Sequence, residues 1–205
     1  LPKVLNTSSL LERLQHHDGT IARQAFGELV KVHQRRLYAL GYDLMGNAAD
    51  AEDVVQETFV KAWVARSTFR GEAQISTWLY RLAVHVALDM KRRAAYRLLN
   101  NSAAFDEETL YGKVHLGGQQ YSQHTHYASP EALTEAAIAE EHIQDALQTL
   151  SPQQRAVFVL RHYHDEPLAE IARTLGVSEG TVKTLLFRAV RALRERLAVY
   201  EKKYE

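Results

Sequence analysis

Ten histidines offer the first chemistry to consider, because imidazole binds metals and moves protons near neutral pH. They gather as His16-His17-Asp18, His124-x-His126 and His162-x-His164-Asp165. Two ligands on one helix face need i, i+4 spacing, and i, i+2 spacing sends them to different faces. His124 and His126 fall in a polar stretch where solvated imidazoles need no metal. No glycine-rich phosphate loop, nucleophile elbow or paired catalytic carboxylate accompanies the histidines. The chain also has no cysteine, which excludes a disulfide framework and a thiolate zinc site. These patterns describe a protein that is not an enzyme and takes no cofactor or metal.

Other residues suit binding to nucleic acid. In "LAEIARTLGVSEGTVKTLLFRAVRALRERL", residues 168–197, Leu168, Ile171, Ala172 and Leu175 share one helical face. Pro167 fits the first helical position, Gly176 ends the helix and Ser178 caps the next one. Val182, Leu186, Ala189, Leu193 and Leu197 then form a buried stripe. Gly180, Lys183, Thr184, Phe187, Arg191 and Arg194 face the other way. A helix-turn-helix of this kind puts its second helix in the major groove, with polar residues at base edges and cations on phosphates. An isolated arginine-rich helix is ordinarily a solvated surface. The capped second helix, the glycine turn and the apolar first helix favour DNA, and Phe187 on the polar stripe suits contact with DNA or a protein.

The first half of the chain carries two more such surfaces. "DAEDVVQETFVKAW", residues 50–63, points Ala51, Val54, Val55, Phe59 and Ala62 inward and groups Glu52, Asp53, Gln56 and Glu57 outside. An acidic face often serves solubility alone. With Val60 in it and Trp63 at its edge, this one suits docking on a basic protein. "STWLYRLAVHVALDMKRR", residues 76–93, buries Leu79, Leu82, Ala83, Val86 and Met90. Its outer face carries Tyr80, Arg81, Val84, His85, Leu88, Lys91 and Arg92, with Trp78 near the edge. Rings interleaved with cations suit single-stranded nucleic acid, where bases stack and phosphates pair with charge. A helix packed on both sides would instead claim Val84 and Leu88.

The elements that must position these residues are helical. With 205 residues, 46% hydrophobic, the chain can bury one sizeable core or two small ones. Four prolines and the scarcity of Val/Thr/Tyr alternation argue against a sheet, so the expected class is all-α. No apolar run approaches the roughly 20 residues that span a bilayer, and no signal pattern opens the chain, so a cytoplasmic protein without membrane insertion is expected. The zero net charge hides a segregation: residues 1–94 carry +3, residues 95–150 carry −6 and residues 151–205 carry +3. The expected organisation is a helical domain at 1–94, an acidic polar linker at 95–130 and a helix-turn-helix domain at 131–205. A charge of +3 per domain supports only weak DNA binding by either alone.

"AEDVVQETFVKAW", "FRGEAQISTWLYRLAV…ALDMKRR" and "LQTLSPQQRAVFVLRHYHDEPLAEIARTLGVSEGTVKTLLFRAVRALRERL" together resemble the extracytoplasmic-function (ECF) sigma factors of bacterial RNA polymerase. The resemblance spans both domains in the family's order. It implies a transcription initiation factor that binds core RNA polymerase and directs it to promoters, with an anti-sigma factor as a further partner. Asp53, Gln56, Glu57 and Val60 would grip the polymerase. The helix at 76–93 and the loop before it would capture and melt the minus-ten element through Phe69, Trp78, Tyr80, Arg81, His85, Lys91 and Arg92. Ser178, Glu179, Gly180, Thr181, Lys183, Thr184, Phe187, Arg188 and Arg191 would read the minus-thirty-five element. Linking two weak DNA readers through polymerase raises the effective concentration of the second. His85 stands where the family commonly has asparagine, which leaves the recognised minus-ten base open, and Leu185 and Val190 stand where arginine is common, so minus-thirty-five contacts are expected to be weaker or differently read. The competing reading is an ordinary helix-turn-helix regulator, which has no need of the first domain.

Overall fold

Side chains near the helix ends show why the elements begin and end where they do. The structure, a computed structural model, describes residues 7–71, 74–101 and 142–201. Among them, every regular element is helical, as the sequence leads one to expect. The first four are Thr7–Leu14 (α1), Gly19–Met45 (α2), Ala48–Ala65 (α3) and Ile75–Asn101 (α4), with a 3-10 turn at Arg66–Thr68 between α3 and α4. A helical stretch at 142–148 (α5), then Pro152–His162 (α6), Leu168–Leu175 (α7) and Glu179–Glu201 (α8) complete the described elements. The chain divides into two compact units: the first holds Leu1–Met45 and Ala49–Ala87, the second Gly46–Ala48 and Leu88–Glu205, so one break falls inside α4.

In the first unit, Asp18 caps α2. Its carboxylate accepts the Thr20 N–H at 2.7 Å, and this bond holds the Asp18 carboxyl below its ordinary value. Leu29, Leu37, Leu40 and Leu44 recur at helical spacing along α2 and are buried. Gly41 lets α2 approach α3, since a Cβ there would sit 3.2 Å from the Ala51 carbonyl oxygen. Helix α3 buries Ala51, Val54, Phe59 and Ala62, as its periodicity predicts, and leaves Val55 half-buried. Thr58 is buried too, its hydroxyl donating to the Val54 carbonyl at 2.6 Å. This internal bond lets a polar side chain sit in the core without an unsatisfied hydroxyl.

Helix α4 departs from the sequence reading. Leu79, Ala83 and Val86 are buried as expected, while Leu82 and Met90 are only half-buried. Val84, assigned to the outer face, is fully buried, and so is Ala87. The stripe rule assumes one buried face about 100° wide, whereas a helix flanked on two sides buries a wider arc. The same helix runs through the expected boundary at residue 94 to Asn101. The rest of the expected linker, residues 102–130 with His124 and His126, lies outside the described residues.

In the second unit, Ser151 and Gln154 form a reciprocal capping box around Pro152, fixing the start of α6. Pro167 is the N-cap of α7, one position before the expected first helical place. Gly176 adopts φ 67°, the left-handed conformation that ends α7. Ser178 accepts the Thr181 N–H at 3.1 Å, starting α8. Ala146, Leu147 and Leu150 pack with Ala189 and Leu193, while Val157, Ile171 and Val182 are also buried.

Candidate functional site

Three surfaces carry the residues singled out by sequence. On α3, Asp53 and Gln56 are exposed, and Glu57 is half-buried in an i, i+4 ion pair with Lys61 at 3.1 Å. Val60 is 57% exposed among them. Val64, one turn further on, is exposed as well and lengthens the apolar strip. The sequence reading stopped at Trp63; the i, i+4 spacing from Val60 was the available signal. Beside this face, α2 and α3 enclose a groove of about 520 Å³ lined by Val30, Gln34, Tyr38, Val55, Gln56 and Phe59. An acidic helix face with two exposed valines next to an apolar groove can bury a partner's hydrophobic anchors inside a polar rim.

The second surface lies along α4 and the loop before it, where the structure separates the expected residues into two groups. Phe69 and Tyr80 are buried, each 7% exposed. Phe69 stacks on Trp78. The Tyr80 hydroxyl accepts Arg36 Nε at 3.3 Å, and the Arg36 guanidinium lies over the Tyr80 ring at 4.9 Å. This hydrogen bond and ring contact tie α4 to α2, so Tyr80 does not stand on an outer face as its sequence position suggested. Tyr80 and Val84 therefore leave the set of solvent-facing residues. Trp78, Arg81 and Lys91 are half-buried, and His85 and Arg92 are exposed. Arg92 pairs with Asp89 at 3.4 Å. His85 Nδ1 is 2.8 Å from the Arg81 carbonyl oxygen. A carbonyl only accepts, so Nδ1 donates to it and Nε2 is the ring nitrogen left to meet a ligand.

The third surface is the outward stripe of α8. Ser178, Glu179, Gly180, Thr181, Lys183, Thr184, Phe187, Arg188 and Arg191 are all exposed, Phe187 to 69%. Ser178 is occupied in capping. The Thr184 hydroxyl donates to the Gly180 carbonyl at 3.0 Å, leaving its lone pairs to accept from a ligand. Arg191 pairs with Glu195 at 2.9 Å. Leu185 and Val190 are half-buried. Lys183, Leu186, Phe187, Val190, Arg191, Arg194 and Glu195 line a groove of about 510 Å³ that mixes apolar side chains with three cations and one carboxylate. Among the described residues, no group of three metal-ligating side chains converges.

A helix-turn-helix with an exposed cationic stripe, joined in one chain to a second helical unit with an acidic face, defines a transcription-factor architecture. Residues 29–97 match the family model for Sigma-70 region 2, and residues 133–193 match that for Sigma-70, region 4. The chain is 31% identical over 177 residues to the ECF RNA polymerase sigma factor SigW of Bacillus subtilis, covering 85% of this chain and 90% of that protein. It is 34% identical over 163 residues to the ECF RNA polymerase sigma factor SigL of Mycobacterium tuberculosis, covering 79% and 82%. In fold it is similar to the sigma factor RpoE solved in complex with the anti-sigma factor NepR from Bartonella quintana. That likeness has a TM-score of 0.64 at 21% identity, covering 86% of this chain and 98% of that one. It is also similar to CnrH in complex with the cytosolic domain of CnrY, with a TM-score of 0.57 at 23% identity, covering 94% and 97%. The chain belongs to the ECF sigma factors of the sigma-70 family.

Proposed function

We propose that this protein is a transcription initiation factor that binds core RNA polymerase and directs it to specific promoters. The observation that carries the reading is the presence of both sigma regions in one chain, region 2 at 29–97 and region 4 at 133–193. A plain helix-turn-helix regulator has no use for the first. The protein's work is binding, with polymerase supplying the chemistry. It acts where polymerase and promoters are, in the bacterial cytoplasm.

The face that exposes Asp53, Gln56 and Val60 beside a half-buried Glu57 supports α3 as the polymerase grip. Trp78, Arg81, His85, Lys91 and Arg92 are the α4 residues whose exposure is compatible with a melted minus-ten strand. A half-exposed indole offers a stacking surface and the cations offer phosphate contacts. Phe69 and Tyr80 support this surface from beneath. On α8, Lys183, Arg188 and Arg191 hold phosphates, while Thr184 and Phe187 meet base edges. The Thr184 hydroxyl is left as an acceptor and suits a base amino group, while His85 turns Nε2 to the strand. An anti-sigma factor is the further partner, a reading supported by the anti-sigma factor NepR bound in one of the similar structures.

Mixing the purified chain with core polymerase and a labelled promoter library tests the proposal. Holoenzyme formation with retention of a defined promoter subset is expected. DNA binding at the same sites without polymerase, and no association with core, would establish the plain-regulator reading instead.

A further inference from the structure

Gln15 follows the last residue of α1 and is exposed, yet its amide reaches into the loop that joins α3 to α4. Its Nε2 donates to the Phe69 carbonyl at 2.8 Å and to the Arg66 carbonyl at 3.2 Å. These two carbonyls bracket the 3-10 turn and the residue after it. Other bonds hold the turn internally. The Arg66 guanidinium donates to the Trp63 carbonyl at 2.6 Å and lies over the Trp63 ring at 3.9 Å, and Thr68 donates to the Ala65 carbonyl at 2.8 Å. Gln15 is an attachment from outside the loop. It is anchored in turn, because α1 buries Leu10 and Leu14 and forks Arg13 onto Glu28 of α2 at 2.9 and 2.7 Å. Leu11 approaches the far end of the loop, 3.0 Å from where a Cβ on Gly71 would lie.

We infer that Gln15 is a positioning residue for strand recognition, clamping the α3–α4 loop so that Phe69 seats under Trp78 and the loop presents one fixed conformation to an extruded base. The inference rests on the proposed role of this loop and α4 in capturing the minus-ten strand. The clamp acts before DNA arrives: two carbonyls and one amide are already paired, so a base meets a loop whose ordering cost has been met in the free protein. No base contact by Gln15 is required. Without the clamp the loop samples several conformations, and binding is weakened by the fraction in which it is competent.

The test uses the full chain assembled with core polymerase and a fork-junction DNA pool whose single-stranded minus-ten segment is randomised. Affinity for the selected strand, base preference at each position and the melting temperature of the free chain are measured for wild type, Gln15→Ala and Gln15→Glu. A glutamate carboxylate has no donor for the two carbonyls, so both variants lose the clamp while Glu keeps the side-chain size. Both are expected to bind core normally and to bind the selected strand about 3- to 10-fold more weakly, the range of one net hydrogen bond. They are also expected to show flattened base preference at the position facing the loop, with preferences elsewhere retained. A general loss of stability would weaken every position alike. Wild-type affinity and preference in both variants would overturn the clamp, as would a uniform loss across positions. If wild-type holoenzyme itself shows no preference in the randomised strand, the minus-ten role of this surface fails, and the clamp fails with it.

Discussion

The ring of Phe69 lies on the indole of Trp78 with centroids 4.8 Å apart and planes 28° from parallel. One ring is buried in the loop and the other is half-exposed on the first turns of α4, so a single stack gives the two residues different duties. Phe69→Ala is expected to cost about 3 kcal/mol of stability, as truncation of a buried ring does, read from urea unfolding. Trp78→Ala is expected to leave more of the fold intact and to weaken binding of a melted minus-ten strand by about 1–3 kcal/mol. Equal effects on stability from both substitutions, with strand binding unchanged, would reduce the pair to packing.

Charge reversal tests the α3 face. The double substitution Asp53→Lys, Glu57→Lys is expected to weaken core polymerase binding by about tenfold or more. Single rim charges are each worth little, so the double is the informative protein. The melting temperature is expected to move little, because Asp53 is solvent-facing and the Glu57–Lys61 ion pair lies at the surface. Holoenzyme formation at wild-type affinity would move the polymerase contact to another surface.

On α8 the two kinds of DNA contact separate. Lys183→Ala is expected to reduce affinity for all minus-thirty-five sequences alike and to lower the salt dependence, because one phosphate contact is lost. Thr184→Val removes a hydroxyl whose proton is committed to Gly180, and is expected to relax preference at one base pair, where the base presents an amino donor. Selection from a randomised upstream element distinguishes the two. Identical preferences for all three proteins would show that the affinity of this helix comes from elsewhere.

His33 gives the first unit a pH dependence. Burial, and after it the neighbouring charge of Arg36, holds its imidazole below the ordinary histidine value. The unfolded chain therefore takes up a proton before the folded one does. Stability is fully present above the ordinary value near 6.5 and is lost as pH falls from there through the lower folded value. His33→Gln is expected to flatten this slope between pH 7.5 and 5.5 in urea-midpoint measurements. An unchanged slope would assign the dependence to other groups.

The C-terminal half was legible in detail because its signals are local. Gly176 and Ser178 act within a turn of themselves, and of the expected stripe Val182, Ala189 and Leu193 are buried, while Leu186 and Leu197 are half-buried. Helix α4 was legible as an element but not by face. Whether Tyr80 and Val84 meet solvent depends on helices distant in sequence, such as Arg36 of α2, and no periodicity within residues 76–93 carries that information. Gln15 was invisible for the same reason: nothing about a glutamine after a short helix indicates that its amide reaches carbonyls more than fifty residues away. The surface residues on α3 and α8 were readable because exposure follows from the helix period once one buried face is known.

The most direct test of the central claim is run-off transcription with core polymerase freed of other sigma factors, on a bacterial genomic library, with transcript 5′ ends mapped. Adding this chain is expected to produce discrete start sites, each preceded by the same pair of separated sequence elements. The Asp53→Lys, Glu57→Lys protein is expected to produce far fewer transcripts from the same sites. Start sites indistinguishable from those of core polymerase alone would contradict the account.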